Sequence, residues 1–359
     1  MKKGHYFSII AALGVTFLAA QLMLQPHKDP PKSRFNHIEV VRCATNDFCV
    51  AIGEPATTTG RQKSVVVQSS DAGAHWRIIE IPNWRDYEAR AINCIGPSTC
   101  LISGSTPLKH RTKFDKLFLT QNAGKSWKVI TVQGPPWPSG VSCYRPHNCS
   151  ALFSWAPNYR FKFSSDSGQS WQEGARQSSF KYNLDCFNAS RCVAQSAALS
   201  GGVVFTDDGG RSWREASLPS SLISWQVRAS CLSEQVCLIG DARRIWRTSD
   251  GGKSFRAVLG EKGQAIVGDG ISEIAFDCPN DQICFAVSDG FSTGFRLAMS
   301  RTGGSSWIST EGVSRLELPG ALSCPSTTTC YAAGHSDYGA QFIYKTSDAG
   351  AHWSRTKVS

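Results

Sequence analysis

The chain has 359 residues, 41% hydrophobic and 18% charged, the composition of an ordinary globular protein. Its formal net charge is +10, of which +4 lies in residues 1–34, where Lys2, Lys3, Lys28, Lys32 and Arg34 face only Asp29. The remaining +6 contains no run of five or six basic residues, which argues against a nucleic-acid partner.

The first predicted element is "MKKGHYFSIIAALGVTFLAAQLML": two lysines, then an apolar stretch from Tyr6 to Leu24. This pattern predicts an export signal. Its 19 residues are just long enough to span a bilayer, and no A-x-A site follows, so the expectation leans to an uncleaved anchor with Lys2 and Lys3 on the cytoplasmic side. The expected organisation is a signal peptide or membrane anchor over 1–24, a polar linker over 25–35 and one folded array over 36–359.

The array announces itself as two interleaved repeats. Seven cysteine pairs share C-x5-C spacing: Cys43 and Cys49, Cys94 and Cys100, Cys143 and Cys149, Cys186 and Cys192, Cys231 and Cys237, Cys278 and Cys284, Cys324 and Cys330. They use all 14 cysteines. After each pair comes an octapeptide: "SSDAGAHW" (69–76), "TQNAGKSW" (120–127), "SSDSGQSW" (164–171), "TDDGGRSW" (206–213), "TSDGGKSF" (248–255), "SRTGGSSW" (300–307) and "TSDAGAHW" (346–353). A repeat of about 47 residues points to one closed array rather than to separate domains.

Within the first unit, "HIEVVRC" (37–43), "FCVAIG" (48–53), "SVVVQS" (64–69) and "WRIIEIP" (76–82) read as four strands with no helix. The C-x5-C segment joins strands one and two. Zinc sites favour shorter spacing and a second pair nearby, so each pair is expected to be a disulfide across a tight hairpin, with Cα atoms about 5.5–6 Å apart. Paired cysteines at fixed spacing agree with export into an oxidising compartment. The octapeptide joins strands three and four: Asp71 can accept backbone N–H bonds, Gly73 can take a left-handed conformation, and Trp76 starts the next strand with a large apolar body.

The pattern S/T-x-D-x-G-x-x-W resembles the Asp-box, or BNR, motif of sialidase-like, sortilin-like and photosystem II assembly factor (Ycf48-like) propellers. The resemblance covers residues 36–359 and is carried by Asp71 and Trp76, Asp166 and Trp171, Asp208 and Trp213, and Asp348 and Trp353. Three copies depart from it: Asn122 stands before Trp127, Phe255 follows Asp250, and Thr302 precedes Trp307. A turn can survive all three changes. The fold expected is all-β: a seven-bladed β-propeller of four antiparallel strands per blade, each blade keeping its own four strands, with a disulfide hairpin and a turn on one face.

In Asp-box enzymes the active site lies on the face away from the boxes, so the resemblance directs attention to the opposite connections. Of 11 tryptophans, six occupy octapeptides and five do not: Trp84, Trp137, Trp155, Trp225 and Trp246. Four of these five, with Arg85, Tyr87, Arg90, Arg111, Tyr159, Arg160, Arg228, Arg243, Arg244 and Arg296, make a candidate basic, aromatic binding face. The fifth, Trp246, lies outside those connections.

Three functions follow as expectations. The first is an exported binding or assembly scaffold, Ycf48-like, for a periplasmic or membrane protein partner. The second is a glycoside hydrolase, for which Asp86, Glu88, Asp289 and Asp337 are carboxylates the sequence cannot pair. The third is non-catalytic glycan binding, with exposed aromatic rings stacking on sugars. No catalytic residue, cofactor or metal site is legible: there is no H-x-x-x-H, P-loop or G-x-S-x-G context, and the Gly-rich turns lack the carboxylates of an EF-hand.

Overall fold

A computed structural model describes residues 35–55, 64–84, 87–105, 116–132, 138–144, 147–155, 158–177, 181–196, 202–218, 227–241, 244–260, 274–288, 296–310, 321–335 and 341–357. The chain divides into Met1–Lys32 and Ser33–Ser359. All described residues belong to the second unit, so the predicted export segment lies outside them.

The strands form seven antiparallel sheets of four, each built from consecutive strands. Blade 1 consists of Phe35–Cys43, Cys49–Pro55, Val65–Ser69 and Arg77–Ile78, and blade 7 of Ala321–Ser323, Cys330–His335, Gln341–Thr346 and Ser354–Lys357. The first strand of each blade touches the first strand of the next, and blade 7 returns to blade 1, which closes a seven-bladed propeller with the first strands innermost. As expected, no strand is exchanged at closure among the described residues.

The second strands are apolar on both sides because each blade is covered by two neighbours. Cys49 and Ala51 face blade 7, whereas Val50 and Ile52 face blade 2. The core is therefore seven clusters, one per seam between blades. Each octapeptide aromatic packs into the seam with the preceding blade: Trp76 on blade 7, Trp127 on blade 1, and so on through Trp171, Trp213, Phe255, Trp307 and Trp353.

All seven C-x5-C pairs are disulfides. Their Cα atoms are 4.0–4.1 Å apart, closer than the 5.5–6 Å expected from sequence. The reason is register. Cys43 lies directly opposite Cys49, and the next pair inward is the hydrogen-bonded one, with Ala44 N–H donating to Phe48 O at 2.9 Å. The cysteines thus occupy a non-hydrogen-bonded site, where opposing strands approach most closely. Such short loops give roughly 2 kcal/mol each from chain entropy.

The fourth strand of blade 1 is shorter than its sequence suggests. Only Arg77–Ile78 pair, because the chain then leaves the outer edge to bury Ile81 and Trp84 in the seam with blade 2.

With no exchanged strand, ring closure depends on side chains. Tyr331 of blade 7 is fully buried, donates its hydroxyl to Asn46 O at 2.6 Å and meets Trp76 edge-on with ring centroids 6.4 Å apart. Across the same seam Cys43 N–H donates to Ser323 Oγ at 3.0 Å. Replacing Tyr331 with Ala is expected to destabilise the fold by about 3–5 kcal/mol, and with Phe by only about 1 kcal/mol. Denaturant midpoints of the two variants, at unchanged slope, check this.

Candidate functional site

The two faces of the disk differ in how much of their chemistry is already engaged. On the hairpin face every octapeptide turn is tied to the disulfide hairpin of its own blade. A turn N–H donates to a hairpin carbonyl in each: Ala72 to Asp47, Ala123 to Ser98, Ser167 to His147, Gly209 to Ser190, Gly251 to Gln235, Gly303 to Gln282 and Ala349 to Thr328, at 2.8–3.2 Å. Both loops therefore emerge together, as the sequence predicts.

Inside each turn the first hydroxyl accepts the N–H of the glycine four residues on, as Ser69 does from Gly73 at 2.9 Å. Asp71 Oδ1 in turn accepts the hydroxyl of Ser69 at 2.8 Å and the N–H of His75 at 3.0 Å. The substituted copies keep this geometry. Asn122 Oδ1 accepts Ser126 N–H at 2.9 Å, and Thr302 Oγ1 accepts Ser306 N–H at 3.0 Å. Two successive residues are left-handed in every turn, Ala72 and Gly73 (φ 59° and 79°) being one case.

These contacts hold the turn carboxylates in their charged form. The His75 N–H holds Asp71 at about 2, and the His352 N–H does the same for Asp348. Asp250 is lowered chiefly by the hydroxyl of Ser254. At Asp166 and Asp208 burial pulls the other way, but the donors of Ser170 and Ser212 outweigh it. These five turn aspartates are structural acceptors, committed to their turns.

The opposite face is where the predicted binding residues fall, and the described part of it divides them. Trp84 and Tyr87 are buried, 4% exposed each. Trp84 Nε1–H donates to Ser64 O at 2.8 Å, and both rings meet Phe118 edge-on at 4.9 and 5.4 Å. They fill the seam between blades 1 and 2 and do not offer a surface, a correction to their sequence-based placement. Trp246 is also buried, its Nε1–H on Asp241 Oδ2 at 2.9 Å, with the half-buried Arg244 guanidinium 5.5 Å from its ring. Tyr159 and Arg160 are half-buried on blade 3, where Arg160 Nε lies 3.6 Å from Glu173. Arg228 is half-buried on the first strand of blade 5. Arg85, Arg111, Trp137, Trp225 and Arg243 lie outside the described residues, as do the side chains of Arg90, Trp155 and Arg296.

One feature of this region went unnoticed in the sequence. The inner strands of blades 1–4 each contain a register shift a few residues before the first cysteine, at Glu39, Arg90, Ser139 and Asn183–Leu184. Glu39 and Asn183 are exposed, and Asn183 is left-handed (φ 51°). The described first strands of blades 5–7 pair without a shift. Bulges re-aim side chains and recur beside functional sites. The available signal was spacing: Ile38 and Val41 share one core cluster, and Ala89 and Ile92 another, at intervals of three where an unbroken strand requires two.

No protein-family model matches the chain, and no curated protein does. Solved structures do match. A structure of Ycf48 bound to a D1 peptide aligns with TM-score 0.58 at 12% identity, over 92% of this chain and 94% of that one. A GH74 xyloglucanase from Xanthomonas campestris aligns with TM-score 0.62 at 12% identity, over 92% of this chain and 56% of that one. The BP39L lectin from Burkholderia pseudomallei gives 0.57 at 12%, over 90% and 100%. These likenesses establish the propeller fold, which Ycf48, lectins and enzymes share.

The turn carboxylates have folded-state values below the roughly 4 of an unfolded aspartate, so their contribution is complete above pH 4 and is lost as pH falls towards about 2. The melting temperature is expected to decline modestly through that window. Asp71 is well exposed, so screening by solvent keeps its share small.

Proposed function

We propose that the protein is an exported, non-catalytic propeller that binds a protein partner through the face opposite its disulfide hairpins. The observation carrying this reading is the run of inner-strand bulges in blades 1–4, because bulges re-aim side chains and recur beside functional sites. Seven disulfides fit an oxidising compartment, periplasmic or extracellular. We further read residues 1–24 as the export signal or inner-membrane anchor, 25–35 as its linker, and the octapeptides as Asp boxes that act as turn staples.

The partner class is argued by likeness: a propeller of the same size has been captured with a bound peptide. Arg85, Arg90 and Arg160, with Tyr159, are the residues assigned to the contact, since arginine and tyrosine dominate interface energetics. A second reading, glycan binding or glycoside hydrolysis, is supported by the lectin and xyloglucanase likenesses.

In-cell crosslinking and affinity capture of the tagged protein separates the two. Wild type is expected to capture one discrete protein partner that an Arg85→Glu, Arg90→Glu, Arg160→Glu variant, folded by circular dichroism, does not. Capture that the variant leaves unchanged would remove this face from the interaction. Specific retention on, or hydrolysis of, an oligosaccharide would move the reading to the second alternative.

A further inference from the structure

In every blade the residue just before the octapeptide lies directly across strands three and four from the residue just after it. In six blades this pair contains at most one cation, as in Gln68 with Arg77, Phe205 with Arg214 and Lys345 with Ser354. Blade 5 alone sets two arginines opposite each other, Arg247 and Arg256. Like charges in that position destabilise a strand pair, so the blade carries them at a cost.

Trp246, Phe255 and Ala257 pack into the seam with blade 4, so the alternation of strand side chains turns Arg247 and Arg256 towards blade 6. Arg247 is half-buried, and its Nε–H donates to Gly303 O in the blade 6 turn at 2.9 Å. That bond restrains Arg247 on the side of the blade from which the exposed Arg256 also projects. Among the described residues no carboxylate comes within ion-pair distance of either guanidinium. Partial burial and the Arg256 charge both work against the positive form of Arg247.

The preceding seam shows what such a pair holds. There Arg191 and Arg214 of blade 4 converge on one carboxylate: Arg191 Nη1 donates to Asp207 Oδ1, and Arg214 Nε to Asp207 Oδ2 at 3.2 Å. Arg191 also donates to Gly251 O at 2.7 Å, the counterpart in blade 5 of Gly303 O, and Arg214 bonds the same carbonyl. A guanidinium on the turn carbonyl with a second beside it thus recurs in blade 5. The acid does not, because Ser249 stands where blade 4 has Asp207.

We infer that Arg247 and Arg256 form a carboxylate-binding site at the hairpin-side rim of the seam between blades 5 and 6, taking from a ligand the acid group that Asp207 supplies within the chain one seam earlier. The shared chemistry is a planar carboxylate, whether free or on an acidic side chain of a polypeptide, because the guanidinium fork matches its two oxygens. The site lies at the octapeptide end of the strands, so it stands apart from the face assigned to the protein partner.

The test is NMR of the full-length, disulfide-intact protein with isotope-labelled arginine, read at the Nε–H signals. Acetate, sulfate, a short peptide with one glutamate and its glutamine counterpart are titrated in turn at constant ionic strength. Acetate and the glutamate peptide are expected to shift the Arg247 and Arg256 signals saturably. Arg77, a lone exposed cation opposite Gln68, should drift without saturating. Arg256→Gln should weaken the response at Arg247 by about ten-fold or more, and Arg256→Lys by less. Saturation by acetate assigns a free carboxylate, and saturation by the glutamate peptide alone assigns an acidic side chain; either supports the site. Alike responses at Arg247, Arg256 and Arg77 mean an adventitious ion only and overturn it. Saturation by sulfate but by neither carboxylate overturns it too, as does a glutamine peptide that matches the glutamate one. Arg256 is exposed, so its replacement is expected to leave the fold intact. Without carboxylate, Arg256→Gln should melt above wild type in low salt, and the gap should close as chloride is added. A Tm difference that salt leaves unchanged removes the repulsion on which the site is argued.

Discussion

Every seam of this ring rests on how closely a turn of one blade can lie on the preceding blade. A Cβ built on the glycine of each octapeptide would meet that neighbour at 1.8–3.3 Å, with Tyr331 at 2.7 Å from Gly73 and Phe205 at 2.7 Å from Gly252. The same glycines have φ between 73° and 92°, a region that side-chain-bearing residues rarely enter. One position thus satisfies two demands at once: it reverses the chain between strands three and four, and it lets the next blade approach. The aromatic three residues later then fills the space that the approach encloses, and seven repetitions produce seven apolar seams.

That arrangement leaves the two faces with different freedom. On one, disulfide-closed hairpins are fixed to the turns by backbone bonds, and the turn aspartates serve as acceptors. The regular part of the opposite face is instead set by where inner strands end and where they bulge. The first strands of blades 1 and 2, Phe35–Cys43 and Glu88–Ile95, each carry such a bulge. A sequence constrained strongly at one end of each blade and weakly at the other can vary its recognition chemistry without disturbing its seams.

The blade count, the strand order, the pairing of all cysteines and the sharing of one face by hairpin and turn were legible because each is written seven times at fixed spacing. Features written once were harder to read. Trp84 stands in a polar stretch that resembles an exposed loop, and only the packing of Phe118 and the carbonyl of Ser64 makes it a core residue. The bulge at Glu39 inserts one residue into a strand whose β-branched neighbours fit either register, so composition does not betray it. The residues just before each first cysteine are a middle case. All are polar, but that Ser323, Asn93 and Ser142 accept a cysteine N–H of the following blade depends on contacts that local pattern does not contain.

Each disulfide spans a sequence separation of six, whereas the contacts that close the ring, such as Tyr331 to Asn46, join residues 285 apart. A cysteine therefore finds its partner within its own hairpin, and no bridge requires another blade to exist. A chain emerging N-terminus first across a membrane can oxidise its blades one after another in the order of their appearance. Mispairing is disfavoured by proximity alone, and the single step that must wait for the C-terminus is the meeting of the last blade with the first.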